Sequence, residues 1–75
     1  MPELRKVSGR LTVQALERLG FRQARQKGSH VILTKRTAQC KVACVVPMHR
    51  ELKIGTLKGV LRQAGVSSEE FLQAL

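Results

Sequence analysis

The stretch Phe21-Arg22-Gln23-Ala24-Arg25-Gln26-Lys27-Gly28-Ser29-His30-Val31-Ile32-Leu33-Thr34-Lys35 decides the fold. Phe21 to Gln26 alternates loosely and reads as a strand. His30 to Lys35 is rich in β-branched residues and reads as a second strand. Lys27-Gly28-Ser29 joins them as a tight turn, with glycine free to take positive φ. Arg36-Thr37-Ala38-Gln39 is a polar connection to Cys40-Lys41-Val42-Ala43-Cys44-Val45-Val46, a third strand that Pro47 stops. Three neighbouring strands with short connections make an antiparallel meander.

Helical patterns flank the meander. Upstream, Ser8 can cap a helix from about Gly9 to Leu19, with Leu11, Ala15, Leu16 and Leu19 on one face and Val13 off it. Gly20 sits where a left-handed residue ends a helix. Downstream, Met48 to Gly55 reads as a loop. Thr56 is placed to cap a helix carrying Leu57, Val60, Leu61 and Ala64 on one face and ending at Gly65. Gly59 inside it costs about 1 kcal/mol relative to alanine, so a packing reason is expected there. Ser67 and Glu70 form a capping box for a last short helix, with Val66 and Phe71 as a hydrophobic staple. The fold class is α+β, in the order α-β-β-β-α(-α): a three-stranded antiparallel sheet with helices on one face.

Seventy-five residues form a single domain, 1–75, and a chain of this size buries only about 60% of its unfolded surface. Fourteen Lys and Arg oppose five Asp and Glu, for a net charge of +9. That balance argues against a neutral enzyme with a deep apolar pocket and points to a polyanionic partner. The hydrophobic fraction of 43% is too high for a disordered basic tail. With two Phe and neither Trp nor Tyr, an aromatic platform for base stacking is poorly supported. The longest apolar run, Val42 to Pro47, is far short of the roughly 20 residues of a membrane span. The N-terminus has no apolar signal core, and two cysteines make no disulfide scaffold. The expectation is a soluble, cytoplasmic chain with no membrane partner.

His30 is the first chemical candidate. It follows Lys27-Gly28-Ser29 at a turn-to-strand junction, flanked by Arg22, Arg25 and Lys27. Histidine exchanges protons near neutrality, and glycine admits a bulky ligand. RNA carries its own nucleophile, the 2′-hydroxyl, so its cleavage needs proton transfer and positive charge and no metal. The plainer reading is a surface histidine at a strand end. His49, after Val46-Pro47-Met48, lies where the third strand ends and the second begins. It is either a second acid/base group or a loop anchor. Cys40 and Cys44 stand about 13 Å apart along one strand, too far to bridge or to share a zinc ion. With Val42 and Val46 they read as an inner face, and no cofactor or metal is expected. Arg5, Lys6, Arg10, Arg22, Arg25, Lys27, Lys35, Arg36 and Lys41 are the basic residues available for one phosphate-binding patch. Residues 1–36 carry nine cations against two acids, so the basic surface is built mainly by the first half.

Two motif groups together resemble the HicA (YcfA-like) toxin family. One is Leu19-Gly20-Phe21-Arg22 followed by Arg25-Gln26-Lys27-Gly28-Ser29-His30. The other is Val46-Pro47-Met48-His49, Leu52-Lys53-Ile54-Gly55-Thr56-Leu57 and Leu61-Arg62-Gln63-Ala64-Gly65. The resemblance runs from about Ser8 to Phe71. It implies a double-stranded-RNA-binding-like fold and an mRNA interferase, a toxin that cleaves mRNA and blocks translation. It also implies neutralisation by a HicB-type antitoxin, and it makes His30 the catalytic residue.

The combined expectation is an endoribonuclease toxin. His30 is its general acid or base. Arg22, Arg25, Lys27, Gly28, Ser29 and Lys35 contact RNA, and an acidic antitoxin is the protein partner. The alternative is a noncatalytic RNA-binding module of the same fold, since fold alone does not prove cleavage. A third possibility is that the basic face serves only to bind an acidic protein.

Overall fold

A computed structural model describes residues 3–75. Helix α1 (Gly9–Arg18) precedes strands β1 (Arg22–Lys27), β2 (His30–Arg36) and β3 (Lys41–Pro47), and helices α2 (Ile54–Ala64) and α3 (Ser68–Ala74) follow. The sheet is antiparallel in the order β1-β2-β3, so the α+β architecture matches the expectation from sequence. Each strand begins and ends one residue later than the sequence pattern suggests, apart from the start of β2.

Ser8 caps α1, its Oγ accepting the Leu11 N–H at 3.0 Å. The buried face of α1 differs from the apolar stripe read in sequence. Gly9, Thr12, Val13 and Leu16 line it at i, i+3, i+4 and i+7, together with Ala15, while Leu11 is 47% exposed. Thr12 can be buried because its hydroxyl donates to the Ser8 carbonyl at 2.9 Å, which removes the cost of an unpaired polar group. The helix ends in a Schellman motif: Gly20 N–H donates to Glu17 and Phe21 N–H to Leu16, with Gly20 at φ 101°.

The β1–β2 hairpin turns on Gly28-Ser29, with Lys27 opposite His30. Gly28 has φ 61° and Ser29 has no positive φ, the pattern of a type II′ turn, which takes glycine first. Gln23 pairs with Leu33 and Arg25 with Ile32, leaving Ala24 as the extra residue of a β-bulge. On β3, Cys44 and Val46 face inward, but Cys40 lies before the strand and is exposed. There Thr37 closes a turn on it, donating its N–H to the Cys40 carbonyl at 2.7 Å. The outer edge of β3 is covered in its middle by α2, where the Val45 N–H donates to Gln63 Oε1 at 3.1 Å.

Val31, Leu33, Cys44 and Val46 form the inner face of the sheet. Val13 and Leu16 of α1, Leu57, Val60 and Leu61 of α2, and Phe71 of α3 cover it. Helix α2 starts earlier than Thr56, with Lys53 at its N-cap and no side-chain capping bond. The chain is steered there by Leu52, which is fully buried and donates its N–H to the Val7 carbonyl at 2.7 Å. Gly59 has no packing role: a Cβ there would meet nothing within 4 Å, and nothing in the structure explains glycine at that position. Gly65 ends α2 in the left-handed region at φ 69°. The Ser67–Glu70 capping box forms as the sequence predicts. Helix α3 has seven residues, too few to hold without tertiary packing. Phe71, wholly buried, is its anchor and contributes about 1.5–3 kcal/mol.

Candidate nucleic-acid interface

The two faces of the sheet differ in kind. The inner one is apolar and carries the helices. The outer one is set by register: Lys27, His30 and Pro47 on one rung, Arg25, Ile32 and Val45 on the next, then Arg22, Thr34 and Ala43, and finally Arg36 with Lys41. Side chains alternate across a strand, so Arg22 and Arg25, three apart, would normally face opposite ways. The bulge at Ala24 absorbs one residue and brings both to the outer face. A residue count along the strand cannot reveal this, because no glycine or proline marks the bulge.

His30 is exposed at the mouth of the hairpin turn. Gly28 has open space around it, and Gln26 Nε2 donates to the Gly28 carbonyl at 3.1 Å, fixing the turn. On the other side the Met48 N–H donates to the Ser29 carbonyl at 2.6 Å, tying the turn to the end of β3. Arg25, Lys27, Gly28, Ser29 and His30 are thus brought together around one end of the outer face, whereas Arg22 stands farther along it, on the Thr34 rung beside Arg36 and Lys41. No acidic residue lies between Glu17 and Glu51, so the whole sheet is without a carboxylate. Lys6–Glu51, at 3.8 Å, is the ion pair found among the described residues, and it lies off the sheet.

Lys35 is not part of this cluster. It pairs with Val42 on the inner-face register, and its Nζ lies 5.7 Å from the centre of the Phe21 ring, a cation–π contact. Arg5 and Lys6 are also separate. They line an open cleft of about 480 Å³ together with Leu11 and Arg50. The basic residues therefore do not form one patch.

His49 is exposed, two residues beyond the rung that holds His30. Its carbonyl accepts the Gly9 N–H at 2.9 Å, so its backbone anchors the start of α1. Gly9 allows this close approach, since a Cβ there would collide with the Pro47 carbonyl oxygen. Cys44 is buried, and desolvation pushes its thiol up to about 11. Among the described residues no three His, Cys, Asp or Glu side chains converge, and no helix is long and apolar enough to cross a membrane.

Residues 9–66 match the family model described as the HicA toxin of bacterial toxin–antitoxin systems. No curated protein matches the chain. The matched span runs from the first residue of α1 to the residue after Gly65 and holds the whole sheet and both histidines. On that span the chain belongs to the HicA toxin family, and its role is that of the toxin in a toxin–antitoxin pair.

Proposed function

We propose that this toxin is a metal-independent endoribonuclease that cleaves mRNA and so blocks translation. The observation that carries the reading is the rung Lys27–His30–Pro47, which sets an exposed histidine beside a glycine turn at one end of a carboxylate-free, cationic sheet face. The RNA 2′-hydroxyl attacks the neighbouring phosphorus while His30 takes its proton. The bond from phosphorus to the 5′-oxygen breaks, and that oxygen takes a proton from water. The products are a 2′,3′-cyclic phosphate and a 5′-hydroxyl. Arg25 and Lys27 balance the charge that gathers on the phosphorane, and Arg22 holds the adjoining backbone. The Gly28-Ser29 turn leaves room for the phosphate to approach. Lys35, on the other face, adds only to the long-range field. A proton transfer by one histidine accounts for roughly 10²–10⁴-fold of rate, a slow nuclease by this measure.

The protein partner in this reading is an acidic HicB-type antitoxin that covers the face around Lys27 to His30 and excludes RNA. Attraction between the opposite charges speeds its capture of the toxin and weakens with salt.

The test is cleavage of a single-stranded RNA by the purified chain in excess EDTA, with analysis of the product ends. Cyclic phosphate ends are expected, together with loss of cleavage in His30→Ala at an unchanged melting temperature. RNA that is bound and left intact, or a folded His30→Ala that still cuts, overturns the reading.

A further inference from the structure

The outer face has a second cationic end that the cleavage reading leaves unused. Arg36 and Lys41 pair directly across β2 and β3, six residues along β2 from His30. Between the two ends β2 and β3 carry no charge on this face, while Arg25 and Arg22 of β1 flank the intermediate rungs. Ile32, Thr34, Ala43 and Val45 fill it, and Val45 is 38% exposed. All five acids of the chain lie outside the sheet, and among the described residues no ion pair involves either end.

We propose that the Arg36–Lys41 rung is a distal phosphate subsite, and that single-stranded RNA lies along β2 with its reacting phosphate at His30. The inference rests on the ribonuclease reading and adds the form and length of the substrate. Six residues of strand span on the order of 20 Å. About four nucleotides fill that length, the lower end of the site sizes found on single-strand-binding folds. The aliphatic centre meets ribose and base faces without an aromatic platform, since Phe21 is on the opposite side. Recognition of duplex RNA by shape extends over about 16 base pairs, much longer than a strand of seven residues offers. Three strands also make a strip wide enough for one backbone rather than two.

Binding energy gained away from the reacting bond appears in the rate of long substrates and is missing in short ones. The experiment is a length series of single-stranded RNA, from dinucleotide to octanucleotide, extended in turn on the 5′ and the 3′ side of one cleavable bond. We expect kcat/KM to rise about tenfold once roughly four nucleotides lie on one side, the gain of one well-placed charged contact. In Arg36→Ala/Lys41→Ala the ratio of long to short substrate falls toward one. The log–log salt slope of RNA affinity flattens by about 1.4, twice the single-strand value per contact. Lys58→Ala, which removes an exposed charge on α2, keeps both the ratio and the slope. Equal ratios in the wild type and the double variant overturn the subsite, as does equally tight binding of the annealed duplex. A double variant that alters only inhibition by the antitoxin also overturns it and assigns the rung to the protein partner. Fluorescence anisotropy on the same series separates the two readings. A length step in binding without any cleavage removes the nuclease and keeps the track, whereas cleavage without a length step does the reverse.

Discussion

His30 and Pro47 stand opposite each other on the last rung of the β2–β3 ladder, and the Pro47 carbonyl in turn lies against Gly9 at the start of α1. The exposed histidine is therefore placed by three elements at once: the hairpin turn, the end of β3 and the first turn of a helix. In the proposed cleavage His30 has to reach the RNA 2′-hydroxyl, and such bracing serves that positioning.

Gly9→Ala tests the bracing. Alanine at a helical glycine position ordinarily stabilises by up to about 1 kcal/mol. Here its Cβ would collide with backbone, the Pro47 oxygen and Met48 Cα, which cannot swing aside as a side-chain tip would. We expect the opposite sign, a loss of about 1–3 kcal/mol as in other overpacked sites. Thermal melting reads it as a drop of roughly 4–8 °C per kcal/mol for a domain this small. A melting temperature that holds or rises means that Gly9 and Pro47 are not in close approach.

Salt should weaken RNA binding steeply. Four to six contacts at about 0.7 each on a single strand give a log–log slope of roughly −3 to −4. Arg25→Ala and Lys27→Ala should each flatten the slope by about 0.7. A slope near zero in the wild type would mean that phosphate contacts do not drive binding.

Much of this architecture is legible in the sequence, and the gaps have physical causes. The capping box at Ser67 and Glu70, the glycines at 20, 28 and 65, and the stop at Pro47 are local signals, and each acts locally in the fold. The face of α1 is misread because Thr12 looks polar, and only the bond to the Ser8 carbonyl makes it a core residue. The start of α2 is hidden because Lys53 leaves no capping signature. At the site, His30, Lys27 and Arg25 are adjacent in sequence and remain adjacent in space. Lys35 falls away from them because a strand alternates, and Arg22 reaches their face, farther along it, because a bulge interrupts that alternation.

Glu70 makes stability depend on acid. Its carboxylate accepts the Ser67 N–H at 3.1 Å, and this backbone bond, then the Ser67 hydroxyl, hold it below the usual carboxylate range. The folded carboxyl binds its proton less tightly than the unfolded one. Its contribution is therefore complete above the ordinary range and is lost as pH falls through that range toward the folded value. Glutamine keeps the capping bond and has no proton to gain. Melting temperatures from pH 7 to pH 3 should fall less steeply in Glu70→Gln than in the wild type. Parallel curves would remove Glu70 from the acid response.

The two thiols should behave oppositely. A water-soluble disulfide reagent at neutral pH should label Cys40 quickly and leave Cys44 unreacted until the chain unfolds. Cys44 also gives an alkaline limb. The unfolded thiol ionises near 9.0 and the folded one near 11, so stability falls as pH rises from the first value to the second. Cys44→Ala should lose part of that slope. Rapid labelling of both thiols in the folded chain would contradict the burial of Cys44.

The Val45–Gln63 bond bears on something other than RNA. An open sheet edge invites a second chain to add its own strand, the first step toward stacking and precipitation. Gln63 occupies the donor that such a chain would need in the middle of β3. At the opposite edge, two copies of β1 laid side by side would bring Arg22, Arg25 and Lys27 against their own duplicates across a kinked backbone. One margin is shut by a hydrogen bond and the other by like charge. Each margin thus carries a feature that opposes the addition of a further strand.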